Sequence, residues 1–323
     1  MMPEQYTQRD RANLLADVAE MYYLQGKSQA EIAHIVGLTR SMISRLLTEA
    51  REKGIVEIRV NRNIRLDHDL ETALAERFGL LGVHVVDVPA STNNRVLNCL
   101  GEAAALLLKR YLAPGLTLGI SWGTSVSATV DAIEYMEPLG VKVIQLVGAF
   151  GARITEYDGH ALVSRLAEKL GGDSYYLNAP FLCPNAETAM ALRQTQSVKE
   201  AINLGKQAQL ALLGVGSVLP RYSSYYLAAY VAINELEKLQ REGAVGDVCG
   251  IHFDIHGYEV GTDFSQRSVT INKDDLINIP YRIGVAGGVG KAAPVLGALL
   301  GGYINMLITD SFTARNVLGM AEK

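Results

Sequence analysis

The Leu24–Val60 segment restricts the fold of this chain more than any other stretch. Ser28 and Glu31 form a Ser-x-x-Glu box, which is typical of a helix N-terminus, and apolar residues then recur at helical spacing. Gly37 ends this helix after a few turns, and Thr39 can cap a second helix. Two short amphipathic helices separated by a glycine turn predict a helix-turn-helix.

The second helix of this pair has an apolar back and a polar front. Ile43, Leu46 and Leu47 share one face, so we expect them in a core. The outer face of its first turns carries arginine and short hydroxyl side chains, the combination that suits the DNA major groove. The predicted contacts with operator DNA are Gln29, Thr39, Arg40, Ser41, Ser44 and Arg45.

The residues that follow extend this interpretation. Gly54 ends the second helix, and Ile55–Val60 alternates at strand period, which predicts a wing. Between Gly37 and Arg65 the chain has seven basic and three acidic residues, although its total charge is −4. A basic segment on an acidic chain is typical of contacts with nucleic-acid phosphates. The alternative is a helical dimerisation module with a solvated basic face.

The length of 323 residues and the apolar content of 49% predict two domains with a substantial core. We place the boundary near residue 62, so that residues 1–61 form the DNA-binding domain and residues 62–323 an effector and oligomerisation domain. Residues 66–323 contain 20 basic and 26 acidic residues, which would disfavour contact with DNA outside the N-terminal module.

Cysteine usage and hydropathy predict a cytoplasmic protein without cofactor or metal. The three cysteines, Cys99, Cys183 and Cys249, are far apart, and their spacing suggests neither a disulfide framework nor a thiolate zinc site. The first residues are polar, unlike a secretory leader, and no uncharged run has the length of a membrane span. We therefore expect no membrane partner.

Apolar strands alternate with helices from Val83 onwards, and this rhythm predicts an α/β domain with a mainly parallel sheet. The stretch Val83–Val88 is almost continuously apolar, as a strand covered on both faces requires. Later in the chain, the pattern predicts a single helix from Tyr226 to Arg241.

Ligands of parallel sheets bind where the strands end, and three glycine-bearing strand ends are candidates, the third being the turn before Lys291. In GISWGTS, Gly123 permits close approach of a ligand, while Thr124 and Ser125 offer hydroxyls at a helix start that favours an anion. An ordinary turn capped by hydroxyl side chains has the same appearance. Gly148 and Gly151 belong to a second loop that would line the same cleft.

The C-terminal part of the chain adds a candidate cation and a candidate carboxylate. Lys291 follows a glycine-rich turn at a predicted helix N-terminus, where a cation is disfavoured unless an anion is also bound. Asp254 has a histidine two residues away on each side, His252 and His256, and on a strand all three would share one face. A metal site and a role as acceptor for a sugar hydroxyl are both compatible with this pattern, and we favour no metal.

Four motifs of this chain resemble the SorC/DeoR-type family of bacterial sugar-responsive transcriptional regulators. They are QAEIAHIVGLTRSMISRLLTEAREKGIVEI, GISWGTS, GDVCGIHFDIHG and VAGGVGKAAPVLGALLGGYINMLITDSFTARNVL. The resemblance implies a sugar-phosphate isomerase/CoA-transferase-like fold for the effector domain, a phosphorylated sugar as effector and a homo-oligomer, tetramer or dimer, on DNA. It also implies that Gly123, Thr124 and Ser125 help to hold the phosphate and that Asp254 and Lys291 contact the ligand.

The sequence therefore predicts a regulator of carbohydrate-metabolism genes, with repression as the expected sign. Two other functions are compatible with the residues. A sugar-phosphate isomerase with an added DNA-binding module could use Lys291 and Asp254 in an imine or acid–base step. A binding protein could use the helix-turn-helix for protein contacts alone.

Overall fold

The computed structural model describes residues 8–56, 64–88, 93–150 and 157–322. The chain divides into two compact units, Met1–Asn63 and Ile64–Lys323. None of the helices in the described ranges combines the length and apolar character that a membrane span requires.

The first unit contains three helices around one apolar core. They are α1 (Gln8–Tyr23), α2 (Gln29–Val36) and α3 (Arg40–Glu52). Leu15 of α1, Ile32 of α2 and Ile43 of α3 are fully buried in that core. The predicted helix-turn-helix is therefore confirmed, whereas residues 57–60 of the predicted wing lie outside the described ranges.

Local hydrogen bonds explain where the two helices of the motif begin and end. The Ser28 hydroxyl accepts from the Glu31 amide at 3.3 Å, and the Glu31 carboxylate accepts from the Ser28 amide at 2.8 Å, which is the predicted capping box. Gly37 ends α2 at φ +72°, a conformation that favours glycine. Thr39 then caps α3 by accepting from the Met42 amide at 3.3 Å.

The second unit is built on a seven-stranded parallel sheet. Its strands are β1 (Gly82–Val86), β2 (Thr117–Ile120), β3 (Lys142–Gln145), β4 (Asp173–Tyr175), β5 (Leu210–Gly214), β9 (Tyr281–Val285) and β10 (Met306–Asp310). They pair in the order β1-β10-β9-β5-β2-β3-β4. Leu212 and Leu213 of β5 are both fully buried, in different core clusters, because successive side chains point to opposite faces. The predicted parallel α/β fold is confirmed.

Helices and a small second sheet complete this unit. The helices are α4 (His68–Phe78), α5 (Asn93–Lys109), α6 (Thr124–Ala132), α7 (Gly159–Leu170), α8 (Ala186–Gln194), α9 (Gln196–Lys206), α10 (Ser224–Leu227), α11 (Ile233–Arg241), α12 (Thr262–Arg267), α13 (Lys273–Ile277), α14 (Ala292–Leu300) and α15 (Ser311–Ala321). The antiparallel sheet has the order β6-β7-β8 and consists of β6 (Gly216–Ser217), β7 (Gly246–Val248) and β8 (Ile251–Phe253).

The single helix predicted from Tyr226 to Arg241 is wrong. The chain forms α10 and α11 instead, and between them Ala229 adopts φ +58°. Tyr225 and Tyr230 both pack against Trp122, with ring centroids 5.3 and 6.0 Å from it. Residues five apart point in different directions on a continuous helix, so a break is needed for both rings to reach one partner.

Candidate functional site

A cavity of about 290 Å³ lies where three neighbouring strands of the main sheet end. The strands are β2, β5 and β9, which are adjacent in the order β9-β5-β2. The segments that follow them contribute to the lining through Ser121, Val215 and Gly287, respectively. The carboxyl edge of a parallel sheet is the usual position of a ligand in this fold class.

The N-terminus of α6 forms one wall of this cavity. Gly123 is the N-cap residue at φ +112°, and among the described residues no side-chain cap of this helix start is found. Thr124 and Ser125 of the first turn line the cavity together with Gly123. Because uncapped amides and the helix dipole favour negative charge, this wall is suited to a phosphate. The three predicted residues therefore lie together.

Lys291, a predicted effector-binding residue, lines the same cavity as the start of α6. Its side chain is half-buried, and its ammonium donates a hydrogen bond to the Val215 carbonyl at 2.7 Å. Burial lowers the pKa of Lys291 to about 8, although the nearby Asp247 carboxylate opposes this change. An anion beside Lys291 would compensate for the cost of desolvating the charge.

The carboxylate of the cavity belongs to Asp247, which sequence reasoning missed. Asp247 lies on β7 and is buried, and its Oδ2 accepts hydrogen bonds from the Tyr225 hydroxyl and, at 3.1 Å, from the Gly250 amide. Its Oδ1 lies so close to Gly216 that a Cβ there would be 1.9 Å away. The available signal was the start of the GDVCGIHFDIHG motif, which contains this aspartate, but the prediction chose Asp254 of the same motif.

Arg221 and several aromatic side chains complete the lining. Arg221 is exposed at the cavity and provides a second cation there. Trp122 and Tyr225 also line the cavity, and their ring centroids are 5.3 Å apart. Phe150, which belongs to the second predicted loop, packs against Trp122 with ring centroids 3.9 Å apart. This loop therefore contacts the indole ring. The described part of the lining therefore combines two cations, one carboxylate and an aromatic wall.

Three predicted effector residues are not shown at the cavity. Asp254 does not line it, because its carboxylate accepts from the His256 amide at 3.0 Å and the Tyr258 amide at 2.9 Å in the turn after β8. Gly148 does not line it either, since its backbone packs against the backbone of Phe181. Gly151 lies outside the described residues.

His252, Asp254 and His256 do not share one strand face, as the metal alternative would require. The strand β8 ends at Phe253, so Asp254 and His256 lie in a turn and share no strand face with His252. His252 is fully buried, and burial lowers the pKa of its imidazole. Across the described ranges, no group of three or more His, Cys, Asp or Glu side chains is placed to hold a metal ion.

The candidate DNA-contacting surface lies on the helix-turn-helix unit. Arg40, Ser41, Ser44 and Arg45 of α3 are exposed, as is the cap Thr39, whereas Gln29 at the start of α2 is half-buried. The opposite face of α3 is buried through residues such as Ile43 and Leu47. This separation leaves the polar start of α3 available to a groove of DNA.

The position of α3 is stabilised by an ion pair with α1. The Arg11 guanidinium donates to both carboxylate oxygens of Glu49, at 3.0 and 2.7 Å. Lys53, the residue that follows α3, approaches the same carboxylate at 2.8 Å. The hydrogen bonds from Arg11 and Lys53 lower the pKa of Glu49 to about 2. This carboxylate therefore stays ionised at any ordinary pH.

Two family models match the chain and correspond to its two units. The model described as "Putative sugar-binding domain" matches residues 62–319, and the model described as "Crp-like helix-turn-helix domain" matches residues 22–71. The first of these covers well over half of the chain, so it establishes the domain family.

Similar proteins of known name agree over nearly the full length. The sorbitol operon regulator of Klebsiella pneumoniae is 32% identical over 96% of this chain and 98% of its own. The deoxyribonucleoside regulator of Bacillus subtilis is 32% identical over 95% of this chain and 97% of its own. The crystal structure of full-length SorC from Klebsiella pneumoniae superimposes with a TM-score of 0.72 at 32% identity, covering 96% of this chain and 99% of that one. The chain therefore belongs to the SorC/DeoR-type family of bacterial sugar-responsive transcriptional regulators.

Proposed function

We propose that this regulator represses carbohydrate-metabolism genes and that a phosphorylated sugar bound in the cavity controls its affinity for operator DNA. One observation carries the proposal: the cavity brings together the uncapped start of α6, Lys291 and Asp247. The first two provide an anion site, and the buried carboxylate provides an acceptor for a hydroxyl. A sugar phosphate offers both an anion and hydroxyl donors in one small molecule.

The experiment is a titration with a panel of sugar phosphates, including sorbitol 6-phosphate, fructose 6-phosphate and 2-deoxyribose 5-phosphate. Trp122 is the only tryptophan of the chain and lines the cavity, so its fluorescence reports binding directly. We expect at least one compound to change the fluorescence and to raise the melting temperature. A panel that changes neither quantity would contradict the proposal.

A DNA-binding measurement is needed to decide whether the ligand weakens or strengthens binding to DNA. A ligand shifts the affinity for DNA only if it binds the DNA-competent and DNA-incompetent arrangements unequally. We expect the sugar phosphate that binds to release the protein from the DNA upstream of its own gene. Tighter DNA binding in the presence of that compound would instead favour activation or co-repression.

We also propose that the chain acts without turnover and as a homo-oligomer, with residues 62–323 as its oligomerisation domain. The cavity does hold Lys291, Asp247 and Tyr225, which are groups capable of proton transfer. Because these groups could also support catalysis, isomerisation assays on the same panel are needed; we expect no product, and substantial turnover would favour the enzymatic alternative. Sedimentation at micromolar concentration should give a dimer or a tetramer, and a monomer would contradict this part of the proposal.

A further inference from the structure

Tyr225 contacts the carboxylate that the proposed ligand would use. Its hydroxyl donates to Oδ2 of Asp247, the buried carboxylate of the cavity, and both residues line that cavity. The Gly250 amide donates to the same oxygen at 3.1 Å. A ligand hydroxyl that approaches Oδ2 therefore meets an acceptor that already has two donors.

The element that carries Tyr225 is short and weakly constrained on its outer side. The helix α10 comprises Ser224–Leu227, and Ala229 follows it in the left-handed region at φ +58°. Tyr226, which is not among the lining residues, has 39% of its surface exposed, while the Tyr225 ring stacks on Phe181 with a centroid distance of 5.5 Å. The inner side of α10 is thus bound to the cavity wall, and its outer side faces solvent.

We propose that Tyr225 is a specificity-determining residue whose hydroxyl competes with a hydroxyl of the bound sugar phosphate for Asp247. This inference rests on the proposed function. A simple anion can occupy the start of α6 and the vicinity of Lys291 without contacting Asp247. A sugar phosphate with a suitably placed hydroxyl instead replaces the Tyr225 hydroxyl and frees α10 from the cavity wall. Only the second kind of ligand changes the conformation of the protein.

Displacement of the Tyr225 hydroxyl lowers the net affinity for the ligand, because the displaced hydrogen bond, like the one that replaces it, is accepted by a carboxylate. Hydrogen bonds to charged groups are the stronger class and change a binding constant by about tenfold or more. Part of the affinity of a sugar phosphate is therefore used to displace the Tyr225 hydroxyl. Removal of that hydroxyl should therefore raise the affinity for the sugar phosphate by this amount.

The variant Tyr225→Phe tests the competition because it removes the hydroxyl and retains the ring that stacks on Phe181. Dissociation constants are measured by calorimetry for inorganic phosphate and for the sugar phosphates of the panel. We expect a sugar phosphate that binds the wild type to bind the variant about tenfold more tightly, while inorganic phosphate binds both proteins equally. Tyr230→Phe is the matched control, since Tyr230 belongs to the same aromatic cluster, 5.0 Å from Phe150, and should leave both affinities unchanged.

The outcomes separate this inference from the function on which it rests. Unchanged or weaker binding of the sugar phosphate to Tyr225→Phe, with binding to the wild type intact, would overturn the competition alone. Absence of binding to either protein would overturn the proposed function and the competition with it. Hydrogen exchange on the wild type tests the same idea without a variant: amides of residues 225–231 should exchange faster with the sugar phosphate than with inorganic phosphate. Equal exchange in the two cases would also overturn the inference.

Discussion

The ammonium group of Lys291 lies in a position that disfavours its own charge. Burial lowers the pKa of this group to about 8, and its hydrogen bond to the Val215 carbonyl leaves other protons of the ammonium for a ligand. The sequence predicted Lys291 as an anion contact because a cation at a helix N-terminus requires compensation. The structure adds a reason why its protonation should respond to a ligand.

The affinity for an anion should decrease as the pH rises above about 8. Below the pKa of the free protein, Lys291 is charged in both the free and the bound state, so the affinity is constant. An anion raises the pKa of Lys291 on binding, and above about 8 binding must therefore take up a proton. Calorimetry with a sugar phosphate that binds the wild type checks this between roughly pH 7.5 and 9.5, where the phosphate is already a dianion. In Lys291→Arg, whose side chain stays charged, the decrease should disappear. An equally steep decrease in this variant would contradict the assignment.

The carboxylate of the site shows the limit of residue-level prediction. Asp254 and Asp247 lie in the same GDVCGIHFDIHG motif, and nothing in the residue types says which of them faces a cavity. The answer depends on pairing within a small antiparallel sheet, where Asp247 lies opposite Gly216 in the register of β6 and β7. Because residue 216 is a glycine, the Asp247 carboxylate can occupy the volume that a side chain at this position would fill.

At the scale of elements, α5 and α6 are packed unusually closely. Gly101 of α5 lies against the backbone of α6, and a Cβ at position 101 would be 2.4 Å from the Ala128 carbonyl oxygen. The position of α6 depends on this approach, and with it the position of the helix start that lines the cavity. The glycine is therefore required by packing between helices rather than by a turn.

Substitution of Gly101 by alanine should destabilise the α/β unit by about 1–3 kcal/mol, because the new methyl group forces α5 and α6 apart. The control is Gly319→Ala in α15, where a Cβ would meet nothing within 4 Å. There we expect no loss, or a gain of up to about 1 kcal/mol from higher helix propensity. Denaturation followed by Trp122 fluorescence reports on the α/β unit, which contains that residue. Equal stability of the two variants would contradict the packing argument.

Element-level prediction succeeded where patterns were long and failed where they were short. Helices and buried strands such as Val83–Val88 follow their hydrophobic period closely. Strands β6 to β8 have only two or three residues each, too few to show a period. The break after α10 is imposed by the contacts of Tyr225 and Tyr230 with Trp122, which involve a distant part of the chain.

At the scale of the whole molecule, basic and acidic residues are distributed unevenly along the chain. Residues 37–65 are basic, whereas residues 66–323 contain six more acidic than basic residues. Arg40 and Arg45 are exposed on α3, and in the described ranges neither forms an ion pair. Contact with DNA phosphates is therefore expected from the helix-turn-helix unit rather than from the α/β unit.

Binding to the DNA upstream of the gene should weaken steeply with salt and depend on this arginine pair. The double variant Arg40→Ala and Arg45→Ala should lose at least about tenfold in affinity and reduce the slope of log K against log salt by up to about 2. The matched control replaces Lys109 and Arg110, two exposed cations of the α/β unit, by alanine and should change neither quantity. Unchanged operator affinity of the first variant, measured by gel shift at several salt concentrations, would refute the assignment of α3.

The helix-turn-helix and the α/β fold class could be inferred from local patterns, whereas the family was indicated by the resemblance of four motifs. The Ser28 capping box, the Gly37 turn and the alternation of apolar strands with helices are formed by residues close in the chain, so their consequences are local. The composition of the site depended on tertiary structure. Sheet order brings the ends of β9, β5 and β2 together, and β-pairing selects Asp247 instead of Asp254. Such contacts join distant residues, and no local spacing encodes them.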